Sequence, residues 1–251
     1  MSDLLFNNIS ASGFTDVNGV LPVNDDINAN CLLSKQYDGI SWRSFHPTAK
    51  PMTVGDNALT VIVRLKQLSD AGQFVVTQKD SESYTGDSIW EFYLGGTGAN
   101  RHIFAAYRES VNGNFIFAQT VNGAFPNDAN EHEMGMSLDI TNKKLFITLD
   151  GAKPLHTFEN LTGGTLSATA QGTMHKLSLG SRHADAFNLG QNCNISQLHT
   201  FQNDAMTVGE LSTHYNNNQA LVGTNPNCNG LTPEEINRAT YYLGSSPRIE
   251  S

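Results

Sequence analysis

The sequence predicts an all-β chain, an antiparallel two-sheet β-sandwich or jelly roll with short helices near its C-terminal end. Three observations predict it: many short apolar runs that alternate with period two, a dense series of tight-turn dipeptides, and almost no helical periodicity before residue 204.

The alternation is clear in three places. Leu59, Val61, Val63 and Leu65 alternate with Thr60, Ile62 and Arg64, so one face is expected to be buried and the other solvated. Met134, Met136, Leu138 and Ile140 alternate with Gly135, Ser137 and Asp139, and Leu145, Ile147 and Leu149 with Phe146 and Thr148. Further strands are expected over residues 4–9, 39–45, 73–78, 89–94, 103–108, 115–120, 175–179 and 195–201. Between them stand Asn18-Gly19, Asp38-Gly39, Asn112-Gly113, Asn122-Gly123, Asp150-Gly151 and Asn229-Gly230, which supply the positive φ angles of hairpin turns. Without crossover helices such strands cannot form a parallel sheet, and two packed antiparallel sheets bury their apolar faces most simply.

Two helix starts echo one another near the end. Thr207-Val208-Gly209-Glu210 and Thr232-Pro233-Glu234-Glu235 are both capping boxes followed by an apolar residue. The first predicts a helix over 207–216 with Val208, Leu211 and Tyr215 on one face. The second predicts one over 232–244 with Ile236, Ala239 and Leu243 on one face, and the Asn- and Gly-rich stretch 216–230 reads as a linker. The expected organisation is therefore a sandwich over 1–220 and a linker with a C-terminal helix over 221–251.

Composition narrows the function classes. The chain has 251 residues, with 39% hydrophobic, 16% charged and a formal net charge of −9. An acidic chain does not offer the positive field that nucleic acid or an anionic membrane requires, and no apolar run reaches the length of a membrane span. Cys31, Cys193 and Cys228 form no metal pattern, and the first residues carry no secretory signal pattern. Free thiols in a protein made in a reducing compartment are the expectation, with one disulfide at most.

Three blocks resemble a known family. Glu133-Met134-Gly135-Met136-Ser137-Leu138-Asp139 with the following Leu145-Phe146-Ile147-Thr148-Leu149-Asp150-Gly151 resembles paired strands ending in an Asp-Gly hairpin. Lys176-Leu177-Ser178-Leu179-Gly180 resembles a strand ending in glycine. Asn194-Ile195-Ser196-Gln197-Leu198-His199-Thr200-Phe201 and the Thr207–Tyr215 segment resemble a last strand leading into a short helix. In this order they resemble laminin-G-like domains of the concanavalin-like lectin and glucanase superfamily, which includes pentraxin-like domains. The resemblance implies a concanavalin-like jelly roll, often with a ligand site on loops at one rim, and no single function.

Glycosidases of that superfamily set two carboxylates on one strand at Glu-x-Asp-x-x-Glu spacing, which is absent here. The nearest arrangement is Glu131-His132-Glu133, more economically read as a solvated strand entry. The eight histidines show no local metal-clamp spacing, and those in strands, such as His199, read as hydrogen-bonded structural residues. Calcium is the ion the resemblance brings. Asp16-Val17-Asn18-Gly19 and Asn24-Asp25-Asp26 offer oxygen ligands, but Val20 stands where a third donor belongs, and an Asx-rich turn accounts for them. No cofactor or metal ligand is therefore assigned.

For a sugar ligand the useful groups are aromatic rings beside amides and a planar Arg. Trp42 and Arg43 with Phe45 and His46 form one candidate patch and Tyr84, in a polar loop, another, whereas Trp90 reads as core. The leading expectation is a non-enzymatic surface component of a bacteriophage virion (capsid decoration, tail or fibre), made in the host cytoplasm and meeting other virion proteins or a host-surface glycan. A homo-oligomer fits that setting, the C-terminal helix docking on a neighbour or folding back on its own sandwich. The alternative is an extracellular carbohydrate-binding lectin or adhesion module, and a polysaccharide hydrolase or lyase is the third reading.

Overall fold

The computed structural model describes residues 50–67, 73–80, 88–110, 113–128, 130–175, 177–179 and 192–223, with the backbone of four further strands at 2–6, 15–17, 35–38 and 43–46. The strands in chain order are β1 (Ser2–Phe6), β2 (Thr15–Val17), β3 (Lys35–Asp38), β4 (Arg43–His46), β5 (Ala58–Gln67), β6 (Gln73–Lys79) and β7 (Ser88–Gly95). A 3-10 turn at Gly98–Asn100 leads to β8 (His102–Arg108), β9 (Phe115–Thr120), β10 (Glu131–Asp139), β11 (Lys144–Leu149) and β12 (His156–Gly163). The chain continues through β13 (Leu177–Leu179) and β14 (Asn192–Gln202) into helix α1 (Val208–Gly223).

The strands form two antiparallel sheets. One has six strands in the order β1-β14-β5-β10-β11, with β3 also paired to β14; the other has eight, β12-β9-β8-β7-β6-β13-β4-β2. This is the two-sheet sandwich the alternation predicts. Leu59, Val61, Val63 and Leu65 of β5 and Met134, Met136 and Leu138 of β10 face Trp90, Phe92 and Leu94 of β7 across one core. Trp90 is fully buried, and its indole N–H donates to Gln78 Oε1 at 2.6 Å. The same amide donates to the Met52 carbonyl at 2.7 Å, so Gln78 satisfies the buried Trp90 and Met52 groups and is itself satisfied.

The Asp150-Gly151 turn forms as expected. Both residues have positive φ (49° and 72°), and Leu149 and Ala152 exchange backbone hydrogen bonds at 2.8 and 3.0 Å around them.

Four expectations are corrected. The second face of β5 is not solvated: Thr60, Ile62 and Arg64 are buried, because α1 lies over that side of the six-stranded sheet, where Leu211, Ile62 and Phe201 pack together. Of the expected strand over 39–45, residues 43–45 lie in β4 and 39–42 fall outside the described residues, while β3, over 35–38, was not expected and joins the other sheet. A strand missing from the expectation, β12, forms the edge of the eight-stranded sheet; its polar, exposed sequence carries no apolar alternation. Finally, α1 continues to Gly223, past the expected end at 216, through a run of Asn whose low propensity is offset by a well-capped start. Thr207 Oγ1 accepts from the Glu210 N–H at 3.2 Å, and Glu210 Oε2 accepts from the Thr207 N–H at 2.7 Å. On the buried side Leu211 and Tyr215 are joined by His214, while Val208 stays half-exposed. The segment 224–251, with the expected helix over 232–244, lies outside the described residues.

Candidate functional site

On the eight-stranded sheet, β8 turns Ile103, Ala105 and Tyr107 into the core, and β9 turns Ile116 and Ala118 inward. Alternation then puts Phe104, Ala106 and Arg108 of β8, and Phe115, Phe117 and Gln119 of β9, on the opposite, outer face. Tyr93 of β7 stands opposite Phe104, and Leu161 of β12 opposite Phe117.

Five aromatic rings meet on this face in a continuous ladder. Tyr93 and Phe104 lie 4.7 Å apart between ring centroids, Phe104 and Phe117 5.5 Å, Phe117 and Phe115 5.6 Å, and Phe158 of β12 meets Phe117 edge-on at 5.8 Å. The ladder crosses four adjacent strands, a span of roughly 14 Å at the usual strand spacing. Tyr93, Phe104, Phe115 and Phe117 are half-buried, and Phe158 and Leu161 are each 43% exposed, so the aromatic surface is open to a ligand at the sheet's edge.

Gly163 makes room for the ladder. A Cβ there would collide with the Phe115 ring, which lies across the β12 backbone. Gly95 plays the same part for His102, whose ring lies over it and whose Nδ1 donates to the Asn100 carbonyl at 3.1 Å.

Polar groups border the rings. Gln119 stands opposite both Phe104 and Phe158. Arg108, half-exposed, reaches to 3.7 Å from the buried Glu91 carboxylate on the neighbouring strand. The pair is looser than a hydrogen-bonded ion pair, so the guanidinium retains donors for a bound group.

Of the patch expected from sequence, Arg43, Phe45 and His46 lie in β4 of this same sheet. Phe45, Ser178, Thr77, Glu91, Ala106 and Phe117 stand opposite one another in a single register row from β4 to β9. Arg43 and His46 are the two ends of β4, while Trp42 and Tyr84 lie outside the described residues.

Sequence reasoning missed the ladder. The signal available was Phe115-Ile116-Phe117-Ala118, a strand apolar on both faces, which announces a second apolar surface besides the core.

The other chemistry-bearing residues are brought together elsewhere. Glu131 Oε2 accepts from Arg64 Nε at 2.7 Å, and Glu133 Oε1 accepts from His214 Nδ1 at 3.3 Å, so the two carboxylates are drawn into separate contacts on the side under α1. Between them His132 turns the other way and donates from both nitrogens, to Asp150 Oδ2 at 2.7 Å and Asp128 Oδ1 at 3.0 Å. Burial opposes its charged form, but its hydrogen bonds to the two carboxylates outweigh it and raise its pKa above the usual value. His199, expected as a structural histidine, pairs with His214 at 3.0 Å, a partner no local spacing reveals.

Of the calcium candidates, Asp16 and Val17 lie in β2, while Asn18 and Asn24-Asp25-Asp26 are outside the described residues. Among the described residues no three His, Cys, Asp or Glu side chains group so as to hold a metal ion.

No protein-family model matches this chain, and no curated protein matches it either. Solved structures do. The sialidase of Trypanosoma rangeli, solved with a difluoro-KDN, is 10% identical; the match covers 88% of this chain and 33% of that one, with a TM-score of 0.54. A botulinum neurotoxin type C structure, whose cell entry depends on interaction with two ganglioside molecules, is 9% identical over 87% of this chain and 51% of that one, at 0.53. The carbohydrate-binding module CBM40 of the Ruminococcus gnavus IT-sialidase, solved with α2,3-sialyllactose, is 13% identical over 73% of this chain and 98% of that one, at 0.50. The chain thus spans about a third of the sialidase chain and half of the toxin chain but nearly the whole of the module. At these identities the likeness is one of architecture, and the fold is a lectin-like antiparallel β-sandwich.

Proposed function

We propose that this chain is a non-enzymatic carbohydrate-binding β-sandwich and that its outer eight-stranded face takes the glycan. The observation that carries the reading is the five-ring ladder from Tyr93 to Phe158, ending in exposed apolar surface and bordered by Gln119 and Arg108. Sugar C–H faces pack on aromatic rings, while hydroxyls need an amide or a planar guanidinium that can donate and accept in fixed directions. The ladder supplies the first, and Gln119 with the Arg108–Glu91 pair supplies the second. Glycan ligands named for the proteins of like fold, sialyllactose for the bacterial module and gangliosides for the toxin, support the same ligand class here.

The way two neighbouring carboxylates are used supports the reading of binding without turnover. Glu131 is engaged by Arg64 and Glu133 by His214, both on the other sheet from the ladder. A glycosidase instead needs two carboxyl groups facing one scissile bond.

A glycan array probed with the labelled chain, once with calcium and once with EDTA, tests the reading. Retention of a defined set of glycans supports it, and retention of none contradicts it. The virion surface is the setting we infer from the sequence. Co-sedimentation of the chain with assembled particles supports that setting, and a chain left wholly in the supernatant contradicts it.

A further inference from the structure

The six-stranded sheet carries a different device, on the face covered by α1. His199 lies in the middle of β14, opposite Ile62 of β5, and is buried. From α1, His214 reaches it: His214 Nε2 is 3.0 Å from His199 Nδ1, and His214 Nδ1 donates to Glu133 Oε1 at 3.3 Å. The two imidazoles stand nearly perpendicular, 4.8 Å between centroids, with the Phe201 ring 6.5 Å from one and 6.2 Å from the other. The other nitrogen of His199, Nε2, has no hydrogen-bond partner among the described residues.

The helix is otherwise held by close approach. A Cβ on Gly135 would meet Leu211 at 3.3 Å, and one on Gly151 would meet Tyr215 at 2.9 Å and Ser212 at 3.1 Å. Among the contacts that seat α1 are two glycines, a small apolar cluster of Leu211 with Ile62 and Phe201, and the pairing of half-buried His214 with buried His199.

We propose that α1 is an acid-released strap: protonation of His199, which is buried in β14 against His214 of the helix, lifts α1 from the sheet and bares the apolar surface around Ile62 and Phe201. The carboxylate at this contact, Glu133, is hydrogen-bonded to His214, and among the described residues none contacts His199, so a proton on His199 has no counter-charge beside it. Among the described residues the remaining charged groups on the packed elements do not supply one. Arg64 of β5 stands opposite Glu133 and is itself cationic, Glu131 of β10 is engaged by Arg64, and Asp150 after β11 is engaged by His132 and the Glu133 N–H. On α1 the only other charged side chain is Glu210, at the capping box, and in the register of β1 Asp3 stands opposite Phe201. Burial, and secondarily the neighbouring His214, hold the His199 pKa well below its ordinary 6.5.

The sign follows from linkage. A histidine whose folded pKa is depressed contributes stability that is whole above 6.5 and is lost as pH falls towards the folded value. Opening that releases His199 to water takes up one proton, so at pH 5.0 the open state gains about thirtyfold over pH 7.5, ten for each pH unit below 6.5.

The test is amide hydrogen exchange in the full chain, read on peptides covering residues 208–217 at pH 5.0 and 7.5 and corrected for intrinsic exchange. About thirtyfold more frequent opening at pH 5.0 is expected, while the β5 and β10 peptides change much less. Opening that is independent of pH overturns the proposal. His199→Phe puts a non-titrating ring in the same space and is expected to abolish the pH dependence; its full persistence in that variant overturns the proposal. Should that variant not fold, the imidazole resonances of His199 in the unaltered chain decide. A ring that stays neutral while α1 is closed is expected, and one that titrates near 6.5 without any opening of the helix overturns the strap.

Discussion

The imidazole of His156 accepts a hydrogen bond from the backbone N–H of Ile147 at 3.1 Å, and this contact ties the edges of the two sheets together. β11 ends the six-stranded sheet and β12 the eight-stranded one. Leu145 donates its N–H to Asn160 Oδ1 at 2.6 Å, and Leu149 donates to the Ala152 carbonyl at 2.8 Å, so successive edge amides of β11 are capped from β12 and the turn. Capping an edge in this way removes a template for unwanted strand pairing. His156 Nδ1 donates to the Pro154 carbonyl at 2.8 Å, which leaves Nε2 as the acceptor and requires the ring to be neutral.

His156→Ala is therefore expected to cost about 1 kcal/mol, one net hydrogen bond, in urea unfolding at pH 7.5. Burial holds the His156 pKa below 6.5, outweighing the Pro154 hydrogen bond and Glu159, which favour the charged ring; Lys153 lowers it further. The contribution of His156 is complete above pH 6.5 and declines as pH falls below it. A variant whose loss of stability is the same at pH 5 and 7.5 contradicts this account.

His132 behaves with the opposite sign. Its folded pKa is raised, so the clamp between Asp128 and Asp150 contributes fully below 6.5 and weakens as pH rises through the folded value. Asp128 is held below its ordinary range, first by the hydrogen bond from His132 and then by the Asn130 N–H. Titration followed by NMR is expected to place the His132 midpoint above 6.5 and the His156 midpoint below it. The reverse order contradicts the hydrogen-bond assignments.

Gly135 is expected to tolerate no side chain. Its Cβ would collide with Thr148 Oγ1 and meet Leu211 at 3.3 Å, so Gly135→Ala overpacks the seam between sheet and helix. A loss of about 1–3 kcal/mol is expected, measured by thermal unfolding. An unchanged midpoint would show that α1 is not seated on β10 as described.

Phe158 separates binding from stability. It is 43% exposed on an edge strand and makes one edge-on contact with Phe117. Phe158→Ala is expected to lower unfolding free energy by less than about 1.5 kcal/mol, within the worth of one aromatic pair. The same change removes the most accessible ring of the proposed site.

The sandwich was legible because each core strand states its own inward face: Leu59 to Leu65 and Met134 to Leu138 alternate as a half-buried strand must. Capping and turn chemistry was equally plain at Thr207–Glu210 and Asp150-Gly151, where the interactions are local. What could not be read were relationships between distant segments. Ile62 and Arg64 look like members of a solvated face until α1, from far along the chain, covers them. His199 and His214 meet only because that helix folds back over β14. The ladder draws its rings from four strands, each ordinary alone, and Phe158 sits in a segment whose strand character comes from pairing with β9 through two register shifts.

The central claim is that the ladder face binds glycan without altering it, and calorimetry tests it most directly. The best-retained array glycan is titrated into the unaltered chain and into Phe158→Ala, and the glycan is then recovered and analysed. The account predicts saturable binding, about tenfold weaker in the variant, equivalent to about 1.4 kcal/mol, with the glycan recovered intact. Equal affinity in the two proteins, or recovery of cleaved glycan, would contradict it.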